Sequence, residues 1–184
     1  PLRSSAASDV YKRQISLFCV FIMNIKLIKK NILKIDEFQF KCSIGAMGIK
    51  KNKTEGDLCT PKGKYKLKNL FYRPDRKKNI KCKLNKIKIK SNMGWCDDPY
   101  SKYYNQLINI NEKIKCEKLY RTDHLYDLFI QINYNEKNIP FKGSAIFIHL
   151  TKKYKPTKGC IALNEKDFMI FLKLITKKSY LNIY

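Results

Sequence analysis

Two residue types able to share one piece of chemistry stand 11 positions apart near the end of the chain. His149 closes the apolar run GSAIFIH, and Cys160 closes the loop TKKYKPTKGC. A thiol is a weak nucleophile until its proton leaves. An imidazole within hydrogen-bond reach takes that proton or pairs with the thiolate, as a cysteine acyl-transfer centre requires. Gly159 removes a side chain beside the sulfur, so a carbonyl can approach and backbone N–H groups, that of Cys160 included, can face a developing oxyanion. The same residues also fit structural roles, a strand-end histidine and a core cysteine, and spacing alone leaves both readings open.

A strand, a Lys-rich loop and a returning strand would bring the pair side by side. Short apolar-polar alternations at 25–33, 38–44, 65–71, 84–89, 125–134 and 145–150 have the period of half-buried strands. Turn signals separate them, among them Gly45, Gly48, Thr60-Pro61-Lys62-Gly63, Arg73-Pro74-Asp75, Asp98-Pro99 and Asn138-Ile139-Pro140. A helix is predicted over 165–173. There Asn164 caps, Glu165 and Asp167 suit the N-terminal dipole, and Phe168, Phe171, Leu172 and Ile175 form one apolar face. A second, shorter helix is predicted near 112–119. With no internal repeat and no charge shift, the reading is one mainly β domain with one or two peripheral helices.

Composition narrows the class. The 184 residues carry 39 Lys+Arg against 15 Asp+Glu, a net charge of +24, and 44% hydrophobic residues. That apolar content excludes wholesale disorder. The longest strongly apolar stretch, 15–23, is far too short to cross a bilayer. The positive field favours polyanions, either nucleic acid or an anionic wall polymer or membrane surface. Lysine arrives with many Ile and Asn, as an AT-rich coding bias would also produce, and arginine, the better phosphate fork, is scarce. Cys19, Cys42, Cys59, Cys82, Cys96, Cys116 and Cys160 are odd in number and lack a C-x-x-C pair, so they read as neither a zinc site nor a disulfide framework. Cys96 reads as packing. Residues 1–14, PLRSSAASDVYKRQ, resemble a translated adaptor; we read 1–22 as a non-native or untranslated leader and 23–184 as the one folded domain. No small-residue cleavage site follows the apolar run, so no export signal is legible.

The segment from His149 to Leu163 resembles the L,D-transpeptidase catalytic domain (YkuD-like) family of peptidoglycan enzymes, whose signature is a His, a loop, then Ser/Thr-x-Gly-Cys and apolar residues. The stretch 42–76, with Glu55-Gly56-Asp57 and Thr60-Pro61-Lys62-Gly63, and the blocks GWCDDP, YNQLI and LYRTDHLYDL are similar to further family blocks. The resemblance implies a β-sandwich-like domain and a thioester mechanism without metal or organic cofactor. Carried onto this chain, Cys160 is the nucleophile and His149 the base. Gly159 and Thr157 take oxyanion-side and positioning roles. His124 and Lys158 are candidates for the substrate cleft, although a histidine bonded to Asp123 or a backbone carbonyl fits His124 as well. The implied partner is a peptidoglycan tetrapeptide stem, with transfer to an amine or to water, and the implied location is the periplasm or cell envelope. Two departures stand out: Lys158 where many members have His, and Ala162-Leu163 where many have Arg-Met. A competing reading is a basic β-domain that binds nucleic acid or wall polymer without catalysis, using Lys64-Tyr65-Lys66 and Lys152-Lys153-Tyr154-Lys155. No nucleic-acid motif supports it, so nucleic acid is the disfavoured partner.

Overall fold

Alternation between apolar and charged residues sets the first strands. In β1 (Asn24–Ile28) Ile25 and Leu27 are buried while Asn24 and Lys26 face water, and β2 (Ile32–Ile35) repeats the pattern with Leu33 and Ile35 inside. This computed structural model describes residues 23–110 and 114–184; the leader reading at 1–22 lies outside them. The chain continues through β3 (Phe38–Ser43), β4 (Ile49–Lys50), β5 (Thr60–Pro61), β6 (Gly63–Tyr72) and β7 (Lys86–Lys88). Next come β8 (Met93–Cys96), β9 (Leu107–Asn109), β10 (Cys116–Lys118), β11 (Leu128–Ile132), β12 (Phe147–Leu150) and β13 (Ile161–Leu163). Helix α1 (Glu165–Leu174) and β14 (Tyr180–Ile183) complete it.

The protein is mainly β, as its alternations predict. Eight strands run in the order β11-β12-β13-β3-β2-β1-β14-β6, and β6 pairs with β11 to close the sheet on itself in a barrel-like ring. The two faces expected of a sandwich therefore belong to one continuous sheet. Long β6 makes closure possible by pairing with β14 through its first residues and with β11 through its last. A separate three-stranded sheet, β10-β8-β9, lies beside the ring.

Two apolar clusters fill the interior. The larger joins Ile25, Leu33, Leu70, Ile130 and Ile148 to Phe168, Phe171 and Leu172 of α1. The helix starts where Asn164 caps it, its side chain accepting the Asp167 N–H at 2.9 Å. The smaller is aromatic, built from Phe71, Trp95, Tyr126, Phe129 and Phe147, and it contains Cys160. Burying such rings contributes about 1.5–3 kcal/mol each, so the wall around Cys160 is also a structural element.

The predicted helix at 165–173 is α1. The one predicted near 112–119 is not formed over its described part: Cys116–Lys118 is β10, pairing antiparallel with Gly94–Cys96, and 111–113 lie outside the described residues. Pairing with β8 and burial of Leu119 outweigh the local helical preference.

Candidate active site

The strand register brings the two chemistry-bearing residues together. β12 and β13 run parallel, with Ile148 opposite Ile161 and His149 opposite Ala162. The loop 151–160 must therefore travel back along the strand before β13 begins, a crossover in place of the simple return expected. Cys160 stands just before β13, two residues from Ala162 and so on the same face as Ala162 and His149. The Phe147 N–H donates to Cys160 Sγ at 3.3 Å. Both side chains are sunk, His149 with 7% and Cys160 with 8% of its surface exposed.

At rest each has its own partner. The Cys160 thiol donates to the carbonyl of Ala145 at 3.1 Å. Ala145 holds a left-handed backbone (φ 51°), which an L-residue adopts only under constraint; its N–H is fixed by Asn105 Oδ1 at 3.1 Å, an oxygen that also accepts from Trp95 Nε1 at 3.0 Å. His149 Nδ1 lies 2.7 Å from the carbonyl oxygen of Leu150. A carbonyl only accepts, so Nδ1 carries the hydrogen and Nε2 keeps its lone pair. Burial holds the imidazole down at about 4, against which the Leu150 carbonyl works. Burial, with the negative charge of Glu117 added, pushes the Cys160 thiol up to about 12, while the Phe147 N–H and Lys53 offset part of this. The resting pair is a neutral thiol and a neutral base.

Beneath them runs a second layer. Tyr126 sets its ring edge-on to His149, 5.4 Å between centroids, and its hydroxyl donates to Glu117 at 2.8 Å. Arg121 lies over the other part of Tyr126 and grips Asp123 with two hydrogen bonds, at 2.9 and 2.6 Å. Glu117 is half-buried, and burial raises its carboxyl despite the Tyr126 bond.

The turn before the sulfur is stapled by Thr157. Its Oγ1 accepts the Gly159 N–H at 3.1 Å and donates to the Cys160 carbonyl at 2.6 Å. Gly159 (φ 140°) cannot carry a side chain, because a Cβ would stand 2.8 Å from the Cys59 carbonyl oxygen. Thr60 donates to the Gly159 carbonyl at 2.9 Å. Behind Gly159 sits Lys53, whose ammonium lies 3.4 Å from that Cβ position and pairs with Asp57 at 2.6 Å. His124 is not beside the sulfur in the bonding pattern: its Nε2 meets the Thr151 carbonyl at 3.1 Å, tying down the loop that follows His149. Lys158 is exposed, and its charge reaches Glu117. Ala162 and Leu163, the departure noted from an Arg-Met pair, are buried in β13 against Ser43 and Cys42. Asp98 serves a turn, accepting the Tyr100 N–H at 3.0 Å.

Sequence reasoning missed Lys53, Glu117, Tyr126 and Ala145. Lys53 stands inside the family-like stretch 42–76 with no role attached to it. Tyr126 stands in a quoted family block with no role attached, and nothing in Ala145 signals a left-handed backbone. Glu55 is also part of the surroundings, accepting from Tyr104 at 2.5 Å and from Ser144 at 2.8 Å across a sequence separation of 89.

The closed β-sheet thus sets a buried cysteine and a buried imidazole on one face, the first just before β13 and the second within the neighbouring parallel strand β12. The chain belongs to the L,D-transpeptidase catalytic domain (YkuD) family, whose family model matches residues 29–181. That family acts on peptidoglycan. Among solved structures, the chain is similar to the helical cell shape determining protein Pgp2 from Campylobacter jejuni and to a single-substitution mutant of it, each with 20% identity and a TM-score of 0.46. Both matches cover 88% of this chain but only 47% and 46% of theirs, so the chain spans about half the length of those proteins. No curated protein matches it.

Proposed function

We propose that this chain is a cysteine-dependent peptidoglycan L,D-transpeptidase with Cys160 as nucleophile and His149 as base. The observation that carries the reading is the placement of both residues on one face of two parallel strands, inside the segment that matches the family. His149 Nε2 takes the thiol proton as Cys160 Sγ turns from the Ala145 carbonyl and attacks the carbonyl at the L-centre of a tetrapeptide stem. The tetrahedral oxyanion collapses, the C–N bond breaks, and His149 returns the proton to the departing D-alanine amine, leaving a thioester. A second stem amine, or water, attacks the thioester; His149 takes its proton and gives it back to the sulfur. Thr157 and Gly159 shape the turn that aims the Cys160 N–H at the oxyanion, and Lys53 adds a fixed positive charge behind it. Lys158 and His124 border the cleft. With Ala162 in place of an arginine, Arg121 is the described guanidinium whose charge reaches His149.

The catalytic domain is assigned to 23–184, supported by the parallel pairing of β1 with β14, which joins the two ends of that segment. Work on wall stems places it in the periplasm or cell envelope, and the +24 charge suits an anionic wall polymer or membrane surface.

The test incubates the full chain and its Cys160→Ala variant with tetrapeptide muropeptides and reads intact protein and products by mass spectrometry. A thioester adduct on the wild type, absent from the variant, with D-alanine release is expected. Cross-linked product identifies transfer, and trimmed product identifies an L,D-carboxypeptidase. A folded wild type that forms neither adduct nor product overturns the proposal in favour of binding without catalysis.

A further inference from the structure

We propose that Cys96 and Cys116 form a thiol–disulfide exchange site, which a disulfide donor converts into a covalent clamp between β8 and β10. The inference does not rest on the proposed activity. The register sets the two cysteines directly opposite each other on antiparallel strands. The Cys96 N–H donates to the Gln106 carbonyl and its own carbonyl accepts the Asn105 N–H, both at 2.9 Å, so both main-chain groups turn toward β9. Three residues back, the carbonyl of Met93 turns the other way and accepts the Leu119 N–H at 3.1 Å. Cys96 and Cys116 are thus a non-hydrogen-bonded pair. In such pairs the Cα atoms stand about 4.5 Å apart and the side chains approach most closely, inside the roughly 4.4–6.8 Å that a disulfide spans.

Both thiols are free, and both project from the same face of the small sheet. Cys116 Sγ rests over Gly94, 2.7 Å from where a Cβ would be, so that glycine makes room for it and a χ1 rotation carries it toward Cys96. β10 is an edge strand of the small sheet and Cys116 is half-buried, whereas Cys96 is fully buried. The order of events follows. Cys116 thiolate attacks a donor disulfide R–S–S–R, forming a mixed disulfide and expelling one RS⁻, which takes up a proton. Cys96 thiolate then attacks the Cys116 sulfur and expels the second. Two protein thiols are oxidised, and the donor is reduced to two RSH. The neighbouring register pair is Trp95 and Glu117, so the clamp fixes the strand whose carboxylate receives the Tyr126 hydroxyl beneath His149.

The full chain is equilibrated with oxidised glutathione or with dithiothreitol, alkylated, digested and mapped. We expect the Cys96 and Cys116 peptides joined to each other in the oxidised sample, no other cysteine pair joined, and a melting temperature several degrees above the reduced sample. Cys116→Ser should remove both the link and the shift. Both cysteines still alkylatable after oxidised glutathione, or Cys96 joined elsewhere, overturns the inference. The wild-type map decides the matter even where the variant does not fold.

Discussion

Cys160 should behave as a protonated thiol far above neutral pH, and its reactivity should show it. Burial is the main cause and the charge of Glu117 adds to it, taking the thiol from an ordinary 9.0 up to about 12. At pH 7 the thiolate fraction is then about one in 10⁵, roughly a thousandfold below that of an unperturbed thiol. His149 does not rescue it, because the imidazole is held near 4 and its Nδ1 hydrogen is committed to Leu150. The assay is iodoacetamide labelling of the Cys160 peptide between pH 6 and 11, followed by mass spectrometry. Steric burial slows labelling equally at every pH, so the shape of the profile carries the test. The rate should climb about tenfold per pH unit through pH 10 without levelling. His149→Ala should leave that profile in place while abolishing turnover of muropeptides. A plateau reached below pH 8, lost in His149→Ala, would refute the reasoning by showing a resting thiolate paired with an imidazolium.

Three more outcomes follow from the same geometry. His149 binds its proton near 6.5 when unfolded but only near 4 when folded, so the unfolded state holds more protons between those values. Its contribution is present above 6.5 and falls by about 3 kcal/mol as pH drops through that window; urea titrations at pH 7 and pH 4 should show a shallower loss in His149→Gln, and equal losses would count against it. Asp57→Asn strands the buried Lys53 ammonium and should destabilise by about 3 kcal/mol in urea, with a loss below 1 kcal/mol contradicting a role for the pair. Tyr126→Phe removes the donor to Glu117 and should cost about 1–2 kcal/mol in thermal unfolding, and an unchanged melting curve would mean that the bond contributes nothing.

Legibility in the sequence followed the range of the interaction. Helix α1 was readable because its cap, dipole charges and apolar face all lie within a dozen residues, and its Asn164 cap forms as expected. That His149 and Cys160 lie on adjoining segments was readable because one loop separates them, although alternation could not show that β12 and β13 run parallel. The layer beneath was not readable. The Thr60 hydroxyl meets the Gly159 carbonyl across 99 residues, and Ser144 meets Glu55 across 89. No local period encodes such contacts. β10 failed for the same reason, since its partner strand, and not its own composition, decides its state.

Charge shows the same division between what composition explains and what the site requires. The described arginines do not form an open phosphate-binding face. Arg73 pairs with Asp75, Arg76 with Asp127 and Arg121 with Asp123, and together they brace the segment 121–127 that delivers Tyr126 and His124. Most of the lysine excess faces solvent, where it adds a diffuse positive field. Lys53 is the single lysine among the buried described residues. A buried ammonium is costly unless it is paired, and this one is accommodated by Asp57 and by Gly143, where a Cβ would stand 2.9 Å from its Cε. Coding bias offers no reason to bury a lysine. Under the proposed mechanism an ammonium fixed behind the Gly159–Cys160 turn offers one, with Asp57 holding it in place and balancing its charge.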